Sequence, residues 1–141
     1  MDDALIEIEA IKQLKARYFR TMDTKDWDAM RLVFADDVVM DTTASGGGVV
    51  TGAEEFMAFL RETLSDAITV HHGHTPEITI TSDTTATGIW ALHDRITFAS
   101  GVRLDGSGHY HEDYVKQSGE WRIARSTLTR LHMDFTTPDA S

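Results

Sequence analysis

The chain has 141 residues, 13 of them basic and 23 acidic, for a formal net charge of −10. That length suits one domain of roughly 100–150 residues with a core and a modest cavity, so residues 1–141 are expected to form a single domain. The acidic surface repels phosphate backbones and anionic headgroups, which argues against nucleic acid and membrane partners. With no cysteine, disulfides, thiolate metal sites and cysteine nucleophiles are excluded. The acidic start Met1-Asp2-Asp3-Ala4 lacks the basic flank of a secretion signal, and no apolar run reaches membrane-spanning length. A cytoplasmic location is the default expectation.

Residues 2–22 predict a long amphipathic helix. Leu5, Ile8, Ile11, Leu14 or Ala16, Tyr18 and Met22 recur at steps of three and four, with Glu7, Lys12, Lys15 and Arg20 between them. Asp23-Thr24-Lys25-Asp26 interrupts this run, and Asp26 or Thr24 can cap a second short helix carrying Trp27, Met30, Leu32 and Phe34. Ala35-Asp36-Asp37 reads as a turn before a short strand, Val38-Val39-Met40. Gly46-Gly47-Gly48 suits a loop or hairpin tip. The phosphate-cradling glycine spacings are absent, so no nucleotide cofactor is expected. A third helix is predicted over Ala53–Leu64, with Phe56, Phe59 and Leu60 on one side.

From Thr69 onward four β-rich segments follow, near 69–81, 85–99, 103–117 and 120–135. Ser82-Asp83, Ser100-Gly101 and Ser118-Gly119 separate them as turn dipeptides. Long strands joined by short turns make an antiparallel meander that must curl to protect its edges. Helices first and a meander after is an α+β pattern, with the helices laid over one sheet face and a concave interior left for a ligand.

Several histidines and acids stand out. Alternation along 69–81 groups Val70, His72, His74, Ile78 and Ile80, which would turn His72 inward. Pro76 can demand a bulge that shifts this parity and turns His71 inward instead. His71 and His72 would then point to opposite faces and could not readily chelate one ion. His109 and His111 share a face, but no carboxylate pattern completes a site, so no metal is expected. Trp90, Leu92, Asp94, Ile96 and Phe98 share another face. An aspartate in an apolar stripe must be paired or line a pocket, and Arg125 is a candidate partner. Tyr110 could donate from its phenol to a substrate oxygen or sit as plain core. Trp27, Phe34, Phe56, Phe59 and Trp121 read as core or pocket wall.

The order of elements over about residues 4–135 resembles the SnoaL-like branch of the nuclear transport factor 2-like superfamily. The segment Tyr18-Phe19-Arg20-Thr21-Met22-Asp23-Thr24-Lys25-Asp26-Trp27-Asp28 is similar to the part of scytalone dehydratase that holds its catalytic aspartate. Thr69-Val70-His71-His72-Gly73 resembles the strand bearing that family's catalytic histidine, and Gly119-Glu120-Trp121-Arg122-Ile123 its last turn and strand. The resemblance implies a cone-shaped curled sheet capped by three helices around an internal pocket. It implies an Asp23–His71 acid–base pair, with Tyr110, Asp94, Trp90, Met22 and Phe19 toward the substrate and no cofactor. It also implies a homo-oligomer, dimer or trimer, built on the outer sheet face. Departures are Met22 and Thr42 where scytalone dehydratase has tyrosines, and Ile96 near its second catalytic histidine. The function expected is a lyase, dehydratase-like, acting on a small hydrophobic cyclic or aromatic hydroxy compound. An isomerase or polyketide cyclase with the same base, or a non-catalytic binding or dimerisation domain, are the alternatives.

Overall fold

Amphipathic periodicity makes the first element a helix of 21 residues, α1 (Asp3–Asp23), whose buried positions Ile11, Leu14, Lys15, Tyr18 and Met22 form one stripe. The computed structural model describes residues 3–138, so the expected helix start at Asp2 lies outside them. After α1 come α2 (Trp27–Arg31), β1 (Phe34–Asp41), a 3₁₀ turn (Thr43–Ser45), β2 (Val49–Thr51) and α3 (Ala53–Leu64). The chain then runs through β3 (Ile68–Ile80), β4 (Thr85–Thr97), β5 (Arg103–Gln117) and β6 (Glu120–Thr136).

Among the described residues the strands form one sheet in the order β2-β1-β6-β5-β4-β3. The expected meander is there: β3 to β6 pair antiparallel in succession. The sheet as a whole is mixed rather than antiparallel, because β1 runs parallel to β6. Ala35-Asp36-Asp37 is not a free turn but part of β1, where a register irregularity between Phe34 and Val39 absorbs it. Phe34 therefore opens β1 and does not belong to α2. Gly46-Gly47-Gly48 lies in the connection of the β1–β2 hairpin, with Gly46 and Gly48 at φ 84° and 78°.

The helices lie on the concave face. Ile11, Leu14, Tyr18 and Met22 from α1 and Phe56, Met57 and Leu60 from α3 join Met30, Phe34, Val38, Leu92, Tyr110 and Ile123 in one core. Asp26 caps α2, accepting from Ala29 N at 3.3 Å. Three expectations about burial are corrected. Leu5 is 65% exposed and Leu32, just past the end of α2, is 62% exposed. Lys15, expected on the wet side, is fully buried.

β-bulges in β3 and β6 set which side chains enter the cone. In β3 the pairing jumps from His74–Ala91 to Glu77–Ile89, three residues against two, with Thr75 at φ 42° beside Pro76. Inward positions are therefore Thr69, His71 and Gly73 before the bulge, and Pro76, Ile78 and Ile80 after it. In β6 a second irregularity, opposite Asp113 and Tyr114, brings Ser126, Leu128 and Arg130 onto the inner face. No helix among the described residues is long and apolar enough to cross a membrane.

Candidate active site

Asp23 is the last residue of α1, and His71 lies 48 residues later on the inner face of β3. The packing of α1 against β3 brings them together. His71 Nδ1 is 2.7 Å from Asp23 Oδ1, and the His71 backbone N–H donates to Asp23 Oδ2 at 2.8 Å. The Thr69 hydroxyl donates to Asp23 Oδ1 at 2.8 Å. Burial pushes the Asp23 carboxyl up, but the hydrogen bonds from His71 and Thr69 outweigh it and hold the carboxyl below its usual range. An ionised carboxylate only accepts, so the proton of neutral His71 sits on Nδ1 and the Nε2 lone pair is free.

His71 is 7% exposed and lines a solvent-open cavity of about 350 Å³. No buried side-chain nitrogen or oxygen among the described residues lacks a partner, so His71 Nε2, which has none, is in contact with open space. The outward neighbour His72 is exposed and does not line the cavity. The cavity wall includes Tyr18, Met22, Phe59, Tyr110, Asp94 and Arg130. Met22, Asp94 and Tyr110, expected toward a substrate, line this cavity, as does Phe59, expected as core or pocket wall.

Phe19 and Trp90 do not line this cavity. Phe19 lies behind His71, its ring stacked on the imidazole at 6.5 Å with planes 17° apart, in an outer groove that it shares with Arg20, Asp23 and His71. Gly73 makes room for it, since a Cβ there would stand 2.5 Å from the Phe19 ring. Trp90 instead donates from Nε1 to Tyr114 Oη at 3.0 Å.

Asp94 is paired with Arg130, not with Arg125. The guanidinium donates from Nη1 and Nη2 to the two carboxylate oxygens at 2.7 and 2.9 Å, and from Nε to Ser45 Oγ at 2.9 Å. Arg130 was readable as an inward residue only once the β6 bulge was known. Asp94 is also the direct cross-strand partner of His71.

Behind the cavity lies a buried polar network that the sequence reading missed. Lys15 Nζ meets Glu112 Oε2 at 2.8 Å, and Glu112 also accepts from Ser126 Oγ and from Tyr114 Oη, each at 2.8 Å. The ammonium sits 3.8 and 3.6 Å from the ring centroids of Tyr18 and Tyr110. Burial lowers the Lys15 pKa against the pull of Glu112, and burial raises those of Tyr18 and Tyr110, so both phenols stay protonated. A signal existed: Lys15 is four residues from Ile11 on the apolar stripe, and Glu112 alternates with Tyr110 and Tyr114. Among the described residues no three histidine or acidic side chains are placed to hold one metal ion.

Comparison with known proteins agrees with this architecture. A curated protein of Gibberella zeae named "Probable cyclase FGR4" is 23% identical over 134 residues, 86% of this chain and 89% of that protein. A solved structure from Novosphingobium aromaticivorans, named as a candidate scytalone dehydratase, superposes with a TM-score of 0.84 at 19% identity, covering 98% of this chain and 93% of that one. The hexachlorocyclohexane dehydrochlorinase LinA-type3 of Novosphingobium barchaimii superposes with a TM-score of 0.83 at 16% identity, covering 97% and 94%. The curled sheet with its three helices is thus the nuclear transport factor 2-like fold. The SnoaL-like domain model matches residues 3–127, nearly the whole chain, and the protein belongs to the SnoaL-like family.

Proposed function

We propose that the protein is a cofactor-independent lyase, dehydratase-like, that acts on a small hydrophobic cyclic or aromatic hydroxy compound. The observation that carries this reading is the 2.7 Å contact between His71 Nδ1 and Asp23 Oδ1, with the His71 ring at the wall of a mostly apolar cavity. His71 Nε2 takes a proton from a carbon beside a carbonyl or aromatic ring. The C–H electrons form the double bond as the neighbouring C–O bond breaks, and the departing hydroxide leaves as water with the transferred proton. Asp23 stabilises the imidazolium that forms in between. Tyr110, kept protonated by burial, donates to a substrate oxygen. Asp94 and Met22 shape the pocket, and this chemistry needs neither metal nor organic cofactor. Fold relatives bearing the names of a dehydrochlorinase and a dehydratase support an elimination.

A second reading, an isomerase or cyclase using the same base without expelling a group, is favoured by the cyclase name of the Gibberella zeae relative. We place the protein in a homo-oligomer, dimer or trimer, because Ile68, Val70 and Ile89 are exposed on the outer sheet face. Light scattering after size exclusion reads that state directly. The enzyme reading is tested by screening hydroxy and halo ring compounds for turnover, then comparing wild type with His71→Ala. A fall of about 10²–10⁴-fold is expected for loss of a general base. Equal rates in the folded variant would end the proposal.

A further inference from the structure

Asp23 carries its charge at an unfavourable place. The C-terminal end of a helix exposes unpaired carbonyls and the negative end of the macrodipole, which repel a carboxylate. Two residues on, Lys25 takes φ 60°, a left-handed conformation that a lysine adopts only at a cost. The turn is closed by Lys25 N donating to Met22 O at 3.2 Å and Asp26 N donating to Thr21 O at 2.9 Å. It folds the lysine side chain back over the helix end. There Nζ donates to Met22 O at 3.3 Å and to Thr69 Oγ1 at 2.8 Å.

The second of these bonds has a direction. An ammonium has only donors, so the Thr69 oxygen must accept from Lys25, and its own proton must go to Asp23 Oδ1, 2.8 Å away. Asp23 in turn can only accept from His71 Nδ1. We propose that Lys25 is a positioning residue for the Asp23–His71 pair. Acting through Thr69, its charge keeps Asp23 an acceptor, the His71 proton on Nδ1 and the Nε2 lone pair toward the cavity. The ammonium offsets the helix-end carbonyls, and the hydroxyl carries its polarisation to the carboxylate without a direct ion pair that would pull Asp23 off the imidazole. Arg20, His72 and His74 border the same outer groove, but the donors in contact with Asp23 are His71 and Thr69. Partial burial lowers the Lys25 pKa while Asp23 supports its charge. Lys25 and Thr69 had no signal of their own in the sequence, being 44 residues apart.

The inference rests on the reading of Asp23 and His71 as the working pair, yet its test needs no substrate. Nitrogen-15 labelling of histidine and carbon-13 labelling of aspartate follow the His71 tautomer and the Asp23 carboxyl by NMR. Two variants are compared with wild type: Lys25→Gly, which suits the positive φ and removes the amine, and Lys25→Arg, which keeps the charge. In Lys25→Gly the Asp23 midpoint should rise by about 0.5–1 pH unit, and the Nε2–H tautomer of His71 should grow several-fold at neutral pH. Lys25→Arg should stay near wild type in both. A folded Lys25→Gly with unchanged titration and tautomer overturns the proposal. So does a Lys25→Arg that shifts as far as Lys25→Gly, since the turn and not the charge would then be responsible. Failure of His71→Ala to slow turnover would remove the lyase reading and leave these NMR shifts as they are.

Discussion

Asp94 on β4 and Arg130 on β6 grip one another across β5, and they can do so because the strand between them offers Gly106. A Cβ at Gly106 would lie 2.5 Å from Arg130 Nη1 and 2.8 Å from Asp94 Oδ1. Both partners are almost wholly buried in the cavity wall. Removing one partner of such a pair leaves an uncompensated charge. Asp94→Ala should therefore lower unfolding stability by about 3–5 kcal/mol in urea titration. The double variant Asp94→Ala/Arg130→Met should recover a good part of that loss. A single variant as stable as wild type would show that Arg130 finds water in place of its partner.

The Lys15–Glu112 pair makes a parallel prediction in the space behind the cavity. Lys15→Met leaves Glu112 buried without its cation, at a cost again of about 3–5 kcal/mol. Lys15→Met/Glu112→Gln removes both charges, with the amide oxygen accepting from Tyr114 and the amide NH2 donating to Ser126 Oγ, and should be the more stable of the two. Thermal unfolding of the three proteins at one pH gives the order. If the double variant is the less stable, the network is held by hydrogen bonds to Glu112 more than by the ion pair.

Asp23 should couple stability to pH at the acid end. Its folded pKa lies below the ordinary aspartate value near 3.8, where the unfolded chain titrates. As pH falls, the unfolded state protonates first, so the contribution is complete above about pH 5 and is lost progressively below about pH 4. The stability gap between wild type and Asp23→Asn should accordingly be constant near neutrality and narrow in acid. Denaturant midpoints at a series of pH values measure it. A gap that widens in acid would mean that burial, not the His71 and Thr69 hydrogen bonds, governs this carboxyl.

If Asp23 and His71 act as one unit, their substitutions will not add. Asp23→Asn keeps the shape but loses the charge that steadies the imidazolium, so it too should slow turnover strongly. The double variant should then be little slower than the slower single variant. Rates that multiply would indicate two independent contributions and separate roles for the two side chains. Variants are compared after circular dichroism has shown them folded, since Asp23 also ties α1 to β3.

Much of this molecule follows from local rules that a chain carries in its order of residues. The Asp23–His71 pair was implied only by the resemblance of their two segments to a known family, whereas three-and-four spacing set α1 and turn dipeptides bounded the four long strands to within two residues or so. Those features depend on neighbours in sequence. What depended on the tertiary structure was which way an ambiguous side chain turned. The bulge at Thr75 and Pro76 decided that His71 and not His72 faces the cavity. Packing against Glu112 and the rings of Tyr18 and Tyr110 decided that Lys15 is core, while Leu5 is left at the surface. Arg130 displaced Arg125 as the partner of Asp94 because a bulge in β6 between Ile123 and Arg125 shifts the alternation, turning Arg125 outward and Arg130 inward. A charged side chain reads as surface until the fold supplies its counter-charge, and for Lys15 and Glu112 that partner lay 97 residues away.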